Sequence, residues 1–143
     1  MITREAIVAE ALSWCGTPWH HEASVKGAGV DCAQLLRAVL VNLGARIRPT
    51  DHYPPDWHLH RGEERFLGFV LEYCREIQEA QLEPGDILLW RIGRCYSHGG
   101  FFIGAGEIVH AIVAEGKVRR ARLDEGELGW RERRAFRWSG FDV

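Results

Sequence analysis

The sequence predicts an α+β fold in which N-terminal helices pack on a C-terminal antiparallel β-sheet. Three observations predict it. Apolar residues recur at helical spacing in three segments before residue 78. Residues 82–123 instead hold short strand-like runs, "LEPGDILLW", "HGGFFIG", "EIVHAIVAE" and "KVRRARL", broken by glycines. Helices first and strands later is the order of an α+β domain, not of the alternating units that build a doubly wound sheet.

The elements follow in order. Thr3 is placed to cap a first helix over residues 3–15, with Ile7, Val8, Ala11, Leu12 and Cys15 on one apolar stripe. Gly16 and Pro18 stop it, and a loop of small residues, "GTPWHHEASVKGAGV", follows. Asp31 is the expected N-cap of a second helix from Cys32 to Leu43, with Leu35, Leu36, Val39, Leu40 and Leu43 setting the period and Gly44 ending it. The segment "RIRPTDHYPPDWHLHRG" holds three of the five prolines. It is too long for a simple turn and is expected to shape one wall of a site. A third helix over Glu63–Ile77 is expected to bury Phe66, Leu67, Val70, Leu71 and Cys74. "RAFRW" adds a last strand after the four runs above. No internal repeat, low-complexity tract or linker interrupts the chain, and 143 residues can bury a sizeable core, so residues 1–143 are expected to form one domain.

Composition narrows the function classes. The net charge is −2, which gives no general attraction to nucleic acid or an anionic membrane. No apolar run approaches the ~20 residues of a membrane span. The start, "MITREAIVAEALSW", carries charges where a signal peptide needs an apolar core, so no secretion signal is expected. Cys15, Cys32, Cys74 and Cys95 are irregularly spaced with no C-x-x-C pair, and all four are read as thiols.

Cys32 stands apart from the others because it opens a helix. Unpaired N–H groups and the positive helix end favour a thiolate there, so its pKa is expected below the ~8.5 of a free thiol. Cys15 and Cys74, on apolar stripes, are expected to be buried and inert. A thiol nucleophile needs an imidazole. Of the seven histidines, His98 starts a strand before two glycines, and His110 lies near the end of the next run, across the turn "GAG". Neighbouring antiparallel strands would put both on one face, with His98 as base and His110 holding its ring in the productive tautomer.

The stretches "GTPWHHEASVKGAGVDCAQLL", "LEPGDILLW", "SHGGFFIG" and "EIVHA" resemble, in order and spacing, the NlpC family of cell-wall cysteine peptidases. The likeness is greatest to its phage-tail branch, whose members pair a "GTPY-x-H" loop with "DC" and a later "Y-x-x-DW" segment. That segment is matched here by Tyr53-Pro54-Pro55-Asp56-Trp57. The resemblance implies a papain-like fold and a Cys–His–polar triad formed by Cys32, His98 and His110, the residues picked on physical grounds. Trp19, Asp31, Ser97 and Gly99 fall beside them as candidates for substrate and oxyanion contacts. It also implies hydrolysis of a peptidoglycan stem-peptide amide, often between D-γ-glutamate and diaminopimelate. Tail proteins of a phage or phage-like particle are the implied partners, and such a particle would deliver a protein without a signal peptide to the wall. Two departures stand out. Trp19 replaces a tyrosine whose hydroxyl can donate to an oxyanion. Ala33-Gln34 replaces Ser-Gly, and Gln34 adds bulk where glycine allows close packing.

Other signals are weaker. Cys95 and His98 have C-x-x-H spacing, with His20, His21, His58 and His60 as further zinc ligands, but paired metal spacing is lacking and no metal or other cofactor is expected. Cys95 is a second thiol near His98 without a helix end beside it. The run "KVRRARLDEGELGWRERRAFRW" sets eight cations against four acids. It reads first as the solvated face of edge strands and second as a contact for anionic wall polymer or a tail partner. No nucleic-acid module accompanies it. "WHLH" and the six tryptophans suit a glycan-stacking surface less well than a core. Two alternatives remain open beside the peptidase: a non-catalytic tail-tip component keeping the fold, and an amidase or acyltransferase using the same triad.

Overall fold

Asp31 and Thr3 start the two N-terminal helices as their side-chain chemistry requires. The Asp31 carboxylate accepts from the Gln34 backbone N–H at 2.9 Å, and the Thr3 hydroxyl from that of Ala6 at 3.1 Å. A computed structural model describes residues 1–53 and 64–142. Helix α1 spans Arg4–Ser13 and α2 spans Cys32–Asn42, with a two-stranded ribbon, β1 (Ser24–Val25) and β2 (Gly29–Val30), between them. Helix α3 (Arg65–Tyr73) precedes six strands: β3 (Cys74–Ile77), β4 (Ile87–Ile92), β5 (Cys95–Gly104), β6 (Glu107–Ile112), β7 (Lys117–Arg122) and β8 (Arg133–Trp138). These form one antiparallel sheet in the order β3-β8-β4-β5-β6-β7.

Alternation along the strands divides the apolar residues between two faces. Leu89, Phe101, Val109 and Phe136 pack with Ile7, Ala11, Leu35, Leu36 and Val39 of α1 and α2. Leu88, Trp90, Ile108 and Ala135 form a smaller cluster with Ile77 and Leu128. The helices therefore cover one face, and the second face is closed by the short connections after β3 and β7.

Three expectations are corrected. The first helix ends at Ser13, so Cys15 falls in the turn beyond it and is exposed rather than part of a buried stripe. The third helix ends at Tyr73, and Cys74–Ile77 is a strand because β8 pairs with it, Cys74 opposite Trp138. Cys74 is buried as expected, but on the sheet, and Leu71 faces solvent at 46% exposure.

The basic run of the C-terminal half is largely neutralised within the molecule. Arg119 pairs with Glu115, Arg120 with Glu107, Arg131 with Glu127, Arg133 with Glu79 and Arg134 with Glu76. This agrees with a solvated strand face rather than a surface awaiting an anion. Arg137 and Arg4 both reach the fully buried Asp86 at the start of β4, at 2.8 and 3.0 Å, which ties α1 to β8. Among the described residues no helix is long and apolar enough to cross a membrane.

Candidate active site

The site arises where two strands part. β5 and β6 are paired from Gly104–Glu107 as far as Gly100–His110, yet β5 begins five residues earlier at Cys95 and β6 runs on to Ile112. On its other side β5 carries a bulge. Trp90 pairs with His98 and Arg91 with Tyr96, so Ser97 is the extra residue, with its hydroxyl donating to the Ile92 carbonyl at 3.0 Å. The segment Ser97–Gly99 thus presents backbone groups that β6 does not pair. The N-terminus of α2 enters this fork. The Cys32 thiol donates to the Ser97 carbonyl at 3.5 Å, and the Gly99 N–H points at the sulfur from the same strand.

His98 and His110 meet on one face of the sheet. Cross-strand partners share a face, so His110 lies with Gly100, two residues along from His98. Gly100 makes the approach possible, because a Cβ there would sit 2.8 Å from the Val109 carbonyl oxygen and 3.0 Å from the His110 Cβ. His98 Nε2 and His110 Nδ1 are 2.8 Å apart, with ring centroids 5.1 Å apart and nearly perpendicular. That bond occupies Nε2 and leaves Nδ1 as the free nitrogen of His98. Both rings are buried, at 6% and 4% exposure.

Cys32 and His98 line one cavity of about 830 Å³. Trp19, Asp31 and Ser97 line it too, together with Arg48, Tyr53 and Phe69 on one side and Ile112, Val113 and Glu127 on the other. Gly99 stands behind the sulfur, packed so that a Cβ would meet Leu89, Leu36 and Phe66 at 2.8 to 3.0 Å. His110 lies behind His98. Cys95 opens β5, buried, and its thiol is pushed up to about 11, first by burial and then by the Glu64 charge. Among the described residues no group of three or more His, Cys, Asp or Glu side chains is arranged to hold a metal ion. His58, His60 and Trp57 lie outside the described residues, as do Pro54, Pro55 and Asp56 of the "Y-x-x-DW" match.

The protonation states correct the expectation for Cys32. Its thiol is pushed up to about 12, first by burial and then by the charge of Asp31 beside it. The N–H groups of Gly99, Ala33 and Cys32 pull the other way, so the helix-end effect is present and is outweighed. Burial and the neighbouring His110 hold His98 well below the usual imidazole range. Burial lowers His110 to about 4, with Arg119 adding to the effect and Glu115 opposing it. The resting pair at neutral pH is therefore a thiol and a neutral imidazole.

Residues 47–53, in the described part of the proline-rich segment, cross over the start of α2 and line one wall of the cavity. Gln34 Nε2 donates to the Thr50 hydroxyl at 2.7 Å, and Arg37 donates to the carbonyls of Ile47 and Arg48 at 2.8 and 2.9 Å. The Tyr53 hydroxyl donates to Asp31 Oδ2 at 2.5 Å, an oxygen that also accepts from the Glu22 N–H at 2.8 Å. Gln34 is thus an anchor for this crossing segment rather than bulk against the cysteine. The sequence carried a signal for it, a long amide at the third position of a capped helix, but not its partner 16 residues away. Trp90 was also missed. It is fully buried beside both histidines, with ring centroids 5.5 Å from His98 and 6.5 Å from His110.

Comparison with known proteins bears on the family and the fold. The NlpC/P60 family model matches residues 13–137. No curated protein matches the sequence. Among solved structures, NlpC1 from Trichomonas vaginalis superposes with a TM-score of 0.71 at 16% identity, over 94% of this chain and 43% of that one. The peptidoglycan hydrolase RipB from Mycobacterium tuberculosis superposes at 0.67 and 18% identity, over 94% of this chain and 63% of that one. RipD from the same organism, described as a non-catalytic NlpC/p60 domain protein adapted to peptidoglycan binding, superposes at 0.65 and 12% identity, over 96% and 98%. The chain thus spans less than half of NlpC1 and nearly all of RipD, and these likenesses are of fold. With the family model covering most of its length and the papain-like α+β architecture in place, the chain belongs to the NlpC/P60 family.

Proposed function

We propose that the protein is a cysteine endopeptidase that hydrolyses a stem-peptide amide of peptidoglycan, the D-γ-glutamyl-diaminopimelate bond, as one domain associated with a phage or phage-like tail. The observation that carries the reading is the shared cavity of Cys32 and His98, with His110 bonded to the far nitrogen of His98. The family supports the substrate class, since NlpC/P60 members are generally cysteine peptidases that hydrolyse peptidoglycan. The tail association is supported by the motif likeness around Tyr53.

The chemistry starts from thiol and imidazole, not from a preformed ion pair. For Nδ1 of His98 to act as base, its neutral ring carries hydrogen on Nε2 and donates it to His110 Nδ1. Substrate entering the cavity draws the thiol off the Ser97 carbonyl. The S–H proton passes to His98 Nδ1 as sulfur bonds to the amide carbon. The Cys32 N–H at the helix end stabilises the oxyanion, and Trp19 closes that side of the cavity. Imidazolium then protonates the leaving amine. Water, deprotonated by neutral His98, hydrolyses the thioester and restores the thiol.

A second reading, a non-catalytic wall-binding or tail-assembly component, is favoured by one observation: the thiol rests on a backbone carbonyl and is held protonated. Incubation of wild type and Cys32→Ala with purified wall fragments, followed by mass spectrometry, separates the two. New peptides from wild type alone support the peptidase, and their masses distinguish endopeptidase from amidase. Identical traces without new peptides, together with sedimentation of both proteins with the wall, support the binding component. An immunoblot of purified tail particles tests the association.

A further inference from the structure

Trp90 is the residue the mechanism leaves unexplained. It is buried on β4 directly opposite His98 in the sheet register, beside the Ser97 bulge. Its indole lies against His98 with centroids 5.5 Å apart and planes inclined by 37°, within the range at which a cation is attracted by an aromatic face. His110, at 6.5 Å, is just beyond it. The indole N–H is buried without a hydrogen-bond partner among the described residues, which costs stability that phenylalanine or methionine would not incur. Filling the layer does not require tryptophan. An aromatic face of maximal negative potential does.

We propose that Trp90 is a positioning residue for the Cys32–His98 chemistry, its indole face stabilising the imidazolium that forms when His98 takes the Cys32 proton. This rests on the proposed pairing of Cys32 with His98. In the step concerned the S–H bond breaks and an N–H bond forms at His98 Nδ1, leaving thiolate and imidazolium, while Trp90 exchanges no atoms. The groups around His98 give this contribution its importance. Among the described residues, Cys32 from α2 supplies the counter-charge in the step, and only after it has lost its proton. His110 from β6 is neutral and works against a second charge, being itself acted on by Arg119 and Glu115. Asp31 acts on Cys32, where it opposes the thiolate. On the sheet side, Trp90 supplies the attraction that burial would otherwise deny.

The test uses reaction of Cys32 with an activated pyridyl disulfide in acid, in a Cys15→Ser background, with peptide-resolved mass spectrometry. Below about pH 6 free thiolate vanishes, and a rate that becomes independent of pH reports internal proton transfer to His98. Trp90 is replaced site-specifically by fluorotryptophans of rising fluorine count, which weaken the aromatic face while keeping its shape. Trp90→Phe and Trp90→Met extend the series, and thermal melting checks folding. The expected result is a plateau rate that falls stepwise with fluorination, about 3–30-fold at the end of the series, with Phe above Met. A plateau unchanged across fluorotryptophans that melt normally would overturn the role of Trp90 alone. A plateau that survives His98→Ala, or is absent from wild type, would overturn the Cys32–His98 pairing and this proposal with it.

Discussion

The resting protonation of Cys32 makes a prediction that separates this site from a preformed ion pair. With the thiol pushed up to about 12, the thiolate fraction at pH 7 is on the order of 10⁻⁵, against about 3% for a free thiol of pKa ~8.5. The more basic thiolate is intrinsically more nucleophilic, and a Brønsted slope of about 0.45 restores roughly 40-fold of that loss. Cys32 should therefore react with iodoacetamide at pH 7 on the order of 10²-fold more slowly than a solvated thiol. Cys15, exposed in the turn after α1, provides the internal comparison, although partial burial holds it somewhat above its ordinary value. The assay is alkylation at a series of pH values, with each cysteine followed by its own peptide in the mass spectrum. Cys15 should label first, and the Cys32 rate should rise about ten-fold per pH unit between pH 8 and 10. Cys32 labelling ahead of Cys15 at neutral pH would refute the reasoning, since it requires a thiolate held by imidazolium at rest.

Three further outcomes follow from the same geometry. His98 and His110 are held neutral, below the ~6.5 of an unfolded histidine, so the unfolded chain binds protons that the folded one refuses; stability is full well above pH 6.5 and falls as pH drops towards 4, with His110 contributing a loss of roughly 2 kcal/mol at pH 5, and urea titrations of wild type and His110→Gln should show the variant losing less. Gln34→Gly removes the amide that holds Thr50, so hydrogen exchange over residues 47–53 should quicken about ten-fold while the sheet amides hold, as read by exchange mass spectrometry. Gly99→Ala drives a methyl group into Leu89, Leu36 and Phe66, which should cost about 1–3 kcal/mol in a denaturant melt.

What the sequence made legible was local or periodic. Asp31 sits before an apolar helical run, and its side chain caps that helix. His98 and His110 share a face because strand side chains alternate and a short turn joins the two runs. What it hid depends on distant chain. Cys74–Ile77 continues a helical apolar period, and only β8, some 60 residues on, makes it a strand. The acidity of Cys32 was misjudged for the same reason. The helix end that favours thiolate is written in "DCAQLL", but the burial that opposes it is set by where β6 leaves β5. Trp90 reads as one more apolar strand residue until the register places it opposite His98.

The fork between β5 and β6 also accounts for the division of labour at the site. A strand paired on both sides has no backbone groups left for a visiting side chain. By ending the ladder at Gly100–His110, the fold frees the Ser97 carbonyl and the Gly99 N–H, and the sulfur occupies the place a β6 residue would have taken. The same ending leaves His110 as the last residue of β6 paired with β5, so its ring is held at the sheet, while the sulfur beside the opening is held by a long S–H bond to the Ser97 carbonyl and by the Gly99 N–H. Asp31 is fixed more firmly still, by Gln34, Glu22 and Tyr53 together. The two histidines and the aspartate are thus held by short hydrogen bonds, and the sulfur by a longer one. In the proposed mechanism, a substrate carbonyl that displaces the thiol from Ser97 meets the His98 imidazole in the same cavity, and the proton transfer that burial suppresses at rest becomes coupled to bond formation at carbon.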